Sequence, residues 1–104
     1  MSGPDTPRTT GAPGAAGTVT VTLAGALTYL FPGAPRQIAV PAATVSEMID
    51  ALDAGWPGMR DRIVDSTPAI RRHMNVFVGG RRARLDTPLM PGAAVFVLTA
   101  ISGG

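Results

Sequence analysis

Polar and apolar residues alternate along Thr18-Val19-Thr20-Val21-Thr22-Leu23, the period of two that a half-buried strand requires, with β-branched residues that suit a pleated surface. Val19, Val21 and Leu23 then share the face turned toward a core. Gly25 and the run Pro32-Gly33-Ala34-Pro35 predict a long, turn-rich connection to a second short alternating run, Arg36-Gln37-Ile38-Ala39-Val40. The period changes at Thr44-Val45-Ser46-Glu47. This is a capping box, in which the threonine hydroxyl takes an orphan N–H of the first helical turn and the glutamate reaches back to the cap. Val45, Met48, Ile49 and Leu52 follow at i, i+3, i+4 and i+7 as one apolar stripe, while Ser46, Glu47, Asp50 and Asp53 point to water. Gly55 and Pro57 end the helix. Met59 to Val64 predicts a further short helical turn, and Asp65-Ser66-Thr67-Pro68 a loop.

Asn75-Val76-Phe77-Val78, then Gly79-Gly80, then Arg81 to Leu85 predicts a strand, a hairpin turn that permits positive φ, and an arginine-rich edge strand. Ala94-Val95-Phe96-Val97-Leu98-Thr99 is apolar on both faces, as a central strand would be if one face met the core and the other met something else. The order is two strands, one main helix, then two or more strands. An α+β domain of the β-grasp type accommodates it: a mixed sheet of four to five strands with the helix packed on one face, and the first and last strands adjacent and parallel at its centre. The domain spans residues 18–99. It is preceded by a disordered tail, 1–17, rich in glycine and proline and without a large apolar residue after Met1, and followed by a flexible tail, 100–104, ending in Gly103-Gly104.

Composition narrows the chemistry. A chain of 104 residues has room for one core. With no cysteine, the protein has no disulfide, thiolate metal site or cysteine nucleophile of its own, and with one histidine, His73, it can build neither a histidine-rich metal site nor several acid–base pairs. No metal site is expected. All nine basic residues are arginine and the formal charge is only +2, too little to imply nucleic acid. Arg71, Arg72, Arg81, Arg82 and Arg84 gather around the hairpin, but no aromatics are interleaved with them, so a solvated edge or a dock for an acidic partner surface is the better reading. Asp50, Asp53, Asp61 and Asp65 lack the spacing of a cation loop and read as solubilising. Trp56, Tyr29 and Phe31 read as core or loop anchors, and His73 is given no role. Neither a secretory signal nor a stretch of roughly 20 apolar residues is present, which makes the cytoplasm the default location and a membrane an unexpected partner.

Two glycines at the end of a short tail leaving the last strand of such a pattern carry a resemblance. From Thr18 to Gly104 the chain resembles the ThiS/MoaD family of ubiquitin-like sulfur carriers, most closely over His73 to Gly80, Thr87-Pro88-Leu89-Met90-Pro91-Gly92, Ala94 to Leu98 and Gly103-Gly104. The segment Leu52 to Met74 is more similar to the molybdopterin-synthase small subunit and cysteine-forming carriers than to the compact thiamin carrier. Ala100-Ile101-Ser102 departs from the small-residue run usual before the glycines, and Arg81-Arg82 stands where related carriers often have an acidic pair.

The resemblance implies that an E1-like adenylating enzyme of the MoeB/ThiF type couples the Gly104 carboxyl to AMP. A sulfur donor or sulfurtransferase then leaves a thiocarboxylate, which a sulfur-accepting synthase consumes in making molybdopterin, cysteine or a sulfur-containing metabolite. The chain is then a protein cosubstrate or a synthase subunit and not an enzyme by itself; it holds no cofactor, and the ATP belongs to the activating enzyme. Gly103 gives backbone access to a narrow channel. Phe96 and Leu98, pointing away from Val95 and Val97, form an apolar docking patch together with Ile101, Ser102, Arg81 and Arg82; the alternative has Phe96 and Leu98 buried under the N-terminal tail or a loop. Two other readings stand beside the carrier: a modifier whose Gly104 is joined to lysines of target proteins, and a β-grasp binding module in which the glycines are incidental.

Overall fold

The alternating run that opens the folded region is a central strand in the computed structural model, which describes residues 17–100. The elements are β1 (Thr18–Leu23), α1 (Gly25–Leu30), β2 (Gln37–Pro41), α2 (Val45–Gly55), α3 (Met59–Ile63), β3 (Met74–Val78), β4 (Arg81–Arg82) and β5 (Ala94–Thr99). The strands form one five-stranded mixed sheet in the order β2-β1-β5-β3-β4. β1 and β5 run parallel at its centre, with Val21 beside Val95 and Leu23 beside Val97, and every other pairing is antiparallel. This is the β-grasp arrangement, with the helices layered on one face.

The core lies between that face and the helices. Val19, Val21, Leu23, Val76, Val95 and Val97 supply the sheet side and the stripe Val45, Met48, Ile49 and Leu52 supplies α2, each without solvent exposure. Met59 and Ile63 of α3 and Leu27 of α1 close the ends. Leucine, methionine and valine side chains of this kind contribute about 1.5–3 kcal/mol each on burial, which is why the layer holds with few polar contacts inside it.

The start of α2 is satisfied from two directions. Thr44 Oγ1 accepts the Glu47 N–H at 3.2 Å, and Glu47 Oε1 accepts the Ala43 N–H at 2.9 Å, one residue before the cap. The remaining first-turn donors go to the chain between β4 and β5: the Val45 N–H to the Thr87 carbonyl at 3.0 Å and the Ser46 N–H to the Leu85 carbonyl at 2.9 Å. This second source explains why β4 is two residues long and does not extend to Leu85. The chain leaves the sheet at Ala83, which is buried, and closes a turn in which Thr87 Oγ1 accepts the Arg84 N–H at 2.8 Å, so that the following carbonyls can reach the helix.

Three glycines need the absence of a side chain. Gly79 and Gly80 have φ of 60° and 80°, the two successive positive values of a tight hairpin between β3 and β4. Gly17 lies against Pro91, where a Cβ would come within 2.5 Å of the proline ring, while its carbonyl accepts the Ala42 N–H at 3.1 Å. β1 therefore enters the sheet pressed against the turn that precedes β5.

The connection after β1 differs from its reading as irregular turns, because Gly25–Leu30 is a short helix. No side chain caps it, so it lacks the signal that marked α2; Leu27, buried in the core, holds it. Tyr29 on this helix is 85% exposed, not a core or loop anchor, whereas Phe31 and Trp56 do pack against the core.

Leu52→Ala is expected to lower stability by about 2–5 kcal/mol through the cavity it leaves. Thr44→Ala should cost about 1 kcal/mol, because only one of the donors at the start of α2 loses its partner. Urea denaturation followed by circular dichroism checks both, and equal losses would contradict this ranking.

Candidate functional site

The site is built on β5. Its inward residues Val95 and Val97 are fully buried, so the strand presents Ala94, Phe96 and Leu98 on the opposite face. Phe96 is 43% exposed and Leu98 is half-buried. The register places Thr22 of β1 on one side of Phe96 and Phe77 of β3 on the other, and places Asn75 beside Leu98. Phe77 and Phe96 are thus a cross-strand aromatic pair at the middle of the open sheet face, framed by threonines. No described helix lies on that side. Phe96 and Leu98 share this face with Phe77, which strand alternation and register together would have found.

Arg81 and Arg82 make up β4 at the sheet edge, Arg82 opposite Phe77 and Arg81 opposite Val78, and both are exposed. The apolar pair is therefore bordered by a cationic edge.

The end of the sheet where β5 finishes is held by two backbone bonds. The Ala24 N–H donates to the Val97 carbonyl at 2.8 Å, and the Ala100 N–H donates to the His73 carbonyl at 2.7 Å. Ile101, Ser102, Gly103 and Gly104 lie outside the described residues, as does the stretch 1–16. Because β1 runs parallel to β5, α1 begins at the same end of the sheet, and it carries the exposed Tyr29 and Leu30. Sequence reading missed this apolar pair because it placed no helix there.

The carboxylates do structural work. Asp50 Oδ1 accepts from Arg60 Nη1 at 2.7 Å. Asp53 is not a solubilising group on a wet helix face: it is half-buried, and its Oδ1 accepts the Gly58 and Arg60 N–H groups at 3.0 Å each, joining α2 to the first turn of α3. Asp65 accepts from the Thr67 hydroxyl, from the Thr67 N–H at 2.9 Å and from the Ala69 N–H at 3.0 Å. The Thr67 hydroxyl first, then these backbone donors and the nearby Arg71 charge, hold the Asp65 carboxyl below the ordinary aspartate value of 3.8. His73 is exposed, and no group of three or more metal-ligating side chains is found among the described residues.

Comparisons with known proteins agree with this geometry. No protein-family model matches the chain. The sulfur carrier protein CysO of Mycobacterium tuberculosis is 28% identical over 78 residues, 69% of this chain and 84% of that protein. The CysO of Amycolatopsis orientalis, solved in a complex with BexX, superposes with a TM-score of 0.74 at 27% identity, over 83% of this chain and 99% of that chain. In sequence and in fold the chain is similar to ubiquitin-like sulfur carriers of the ThiS/MoaD type. SAMP1 of Haloferax volcanii is similar to the chain as well, with a TM-score of 0.71 at 25% identity over 85% of this chain and 100% of that one. No helix among the described residues is long and apolar enough to cross a membrane.

Two outcomes test the site. Phe96→Glu should fold with a loss of at most about 1 kcal/mol, since the residue is exposed, whereas Val97→Glu, one residue along and fully buried, should not fold. Thermal denaturation separates them, and equal damage would mean that Phe96 is a core residue. For Asp65 the folded pKa is depressed, so its contribution to stability is present above pH 3.8 and is lost as pH falls through the lower folded value. Thr67→Val should raise the Asp65 pKa in a carboxyl-carbon NMR titration and flatten the acid limb of the stability curve.

Proposed function

We propose that the carboxyl of Gly104 is the reactive centre of this carrier. An E1-like enzyme uses ATP to form the acyl-adenylate, with release of pyrophosphate; the oxygen of a carboxylate is a poor leaving group, and AMP is a good one. Sulfide sulfur from a donor or sulfurtransferase attacks the acyl carbon, AMP departs, and a thiocarboxylate remains. That soft nucleophile is then spent on a sulfur-accepting synthase, whether the chain visits it as a free carrier or stays on it as a subunit. The whole cycle suits a chain without cysteine, because the sulfur is held on the main-chain terminus. The dependence on ATP fits a cytoplasmic location.

The observation that carries this reading is the coincidence of the CysO likeness with the open Phe77–Phe96 face on the strand that leads into Gly103-Gly104. Gly103 lets the terminal backbone approach the nucleotide, and Phe96, Leu98, Ile101, Ser102, Arg81 and Arg82 serve the partners. A second reading, a modifier joined through Gly104 to lysines of other proteins, has the likeness to SAMP1, a small archaeal modifier protein, in its favour. This chain has no lysine and so could not be linked to itself in that way.

Incubation with an E1-like enzyme, ATP and sulfide, followed by intact mass, tests the proposal. The expected result is a gain equal to exchange of one oxygen for sulfur, located at Gly104 by fragmentation. Gly104→Val should slow that conversion by at least about 100-fold while leaving the thermal midpoint unchanged, because a side chain there displaces the acyl carbon from the nucleotide. Wild-type rates in the variant would refute the carrier chemistry. Isopeptide conjugates in place of the sulfur product would favour the modifier.

A further inference from the structure

The edge of the sheet opposite β2 carries a cleft of about 740 Å³. It opens between the loop that follows α3 and the segment that leaves β4 at Ala83. Its floor is apolar, with Ile70, Met74 and Leu85 among the lining residues, and its walls carry Arg60, Arg71, Arg72, Arg82 and Arg84 against one carboxylate, Asp86. Some of these cations are already engaged. Arg60 bonds Asp50 at 2.7 Å, Arg71 Nε donates to the Asp61 carbonyl at 2.6 Å, and Arg84 faces Asp86 at a loose 3.8 Å. Arg72 and Arg82 have no carboxylate partner among the described residues, and both are exposed.

We propose that this cleft is a second docking site, which takes an acidic segment of a partner protein carrying apolar anchor residues. Three observations select that occupant. A small-molecule pocket fixes its ligand through a few buried polar groups, and among the described residues none is buried, so nothing in the cleft would orient a compact ligand. Bases would have no platform, because no aromatic side chain lines the cleft. The guanidinium groups are spread along the walls from α3, the following loop, β4 and the turn beyond it. Several cations offered from different elements suit a segment with several carboxylates, each held by a planar fork, while leucine-like anchors rest on the floor. The cleft also adjoins the open sheet face, since Arg82 lies opposite Phe77. One partner can therefore cover Phe96 and Phe77 and reach round the β4 edge into the cleft.

The docking is independent of the tail chemistry, and so is its test. Nitrogen-15-labelled full-length protein is titrated with a synthetic peptide of glutamate and aspartate bearing two leucines, with a control in which lysine replaces every acid, with inorganic pyrophosphate, and with a single-stranded oligonucleotide. The proposal expects amide shifts from the acidic peptide confined to 70–76 and 82–86, absent with the basic control. Affinity should fall by about tenfold or more between about 50 mM and about 500 mM NaCl. Arg72→Glu combined with Arg82→Glu should weaken binding by about tenfold or more, whereas Arg62→Glu, at an exposed arginine of α3 outside the cleft, should not. Because Arg72 and Arg82 are exposed, the double variant is expected to keep its thermal midpoint. Absence of shifts in the cleft, equal binding of the basic peptide, an unaffected double variant, or tighter occupancy by pyrophosphate or the oligonucleotide overturns the proposal. No activating enzyme or ATP is present, so either result leaves the thiocarboxylate assay to stand or fall by itself.

Discussion

Pairing β1 with β5 in parallel joins the two ends of the folded region at the centre of the sheet, and parallel neighbours cannot be linked by a tight turn. Everything between them has to cross the sheet and come back. α2 and α3 take that crossing on one face, where Val19, Val21, Leu23, Val95 and Val97 meet Val45, Met48, Ile49 and Leu52. No described helix covers the other face, and β5 lies at its middle. That face and its aromatic pair are thus consequences of one pairing.

A second dependence runs through the start of α2. Its first amide groups are satisfied by carbonyls of Leu85 and Thr87, so the segment after β4 serves the helix instead of the sheet. That early departure shortens the edge strand to Arg81–Arg82 and opens the space beneath the loop that Asp65 shapes. The arginine-walled cleft exists because a helix terminus needed acceptors. Energy that stabilises the fold and geometry that offers a surface come from the same few hydrogen bonds.

Much of this was legible in the residues. The Thr44–Glu47 box, the stripe through Leu52, the Gly79-Gly80 turn and the doubly apolar Ala94–Thr99 each carry a local signal, and each took the form that signal implies. What escaped was set by tertiary contacts. Gly25–Leu30 has no cap, so its helix is visible only through Leu27 meeting the core. Tyr29 has the composition of an anchor and the environment of a surface residue. Asp53 looks like one more acid on a wet face until the turn at Gly58 folds back on it. Phe96 was readable from alternation, but its partnership with Phe77 needed the register between two strands distant in sequence. Among the arginines, clustering was readable; the cleft between them was not.

Among the described residues the bond from the Ala100 amide to the His73 carbonyl is the last that fastens the end of β5. His73 lies one residue before β3, the strand that carries Phe77, so the close of β5 is pinned to the start of its aromatic neighbour. A surface that grips the Phe77–Phe96 face therefore bears on two strands that this bond ties together.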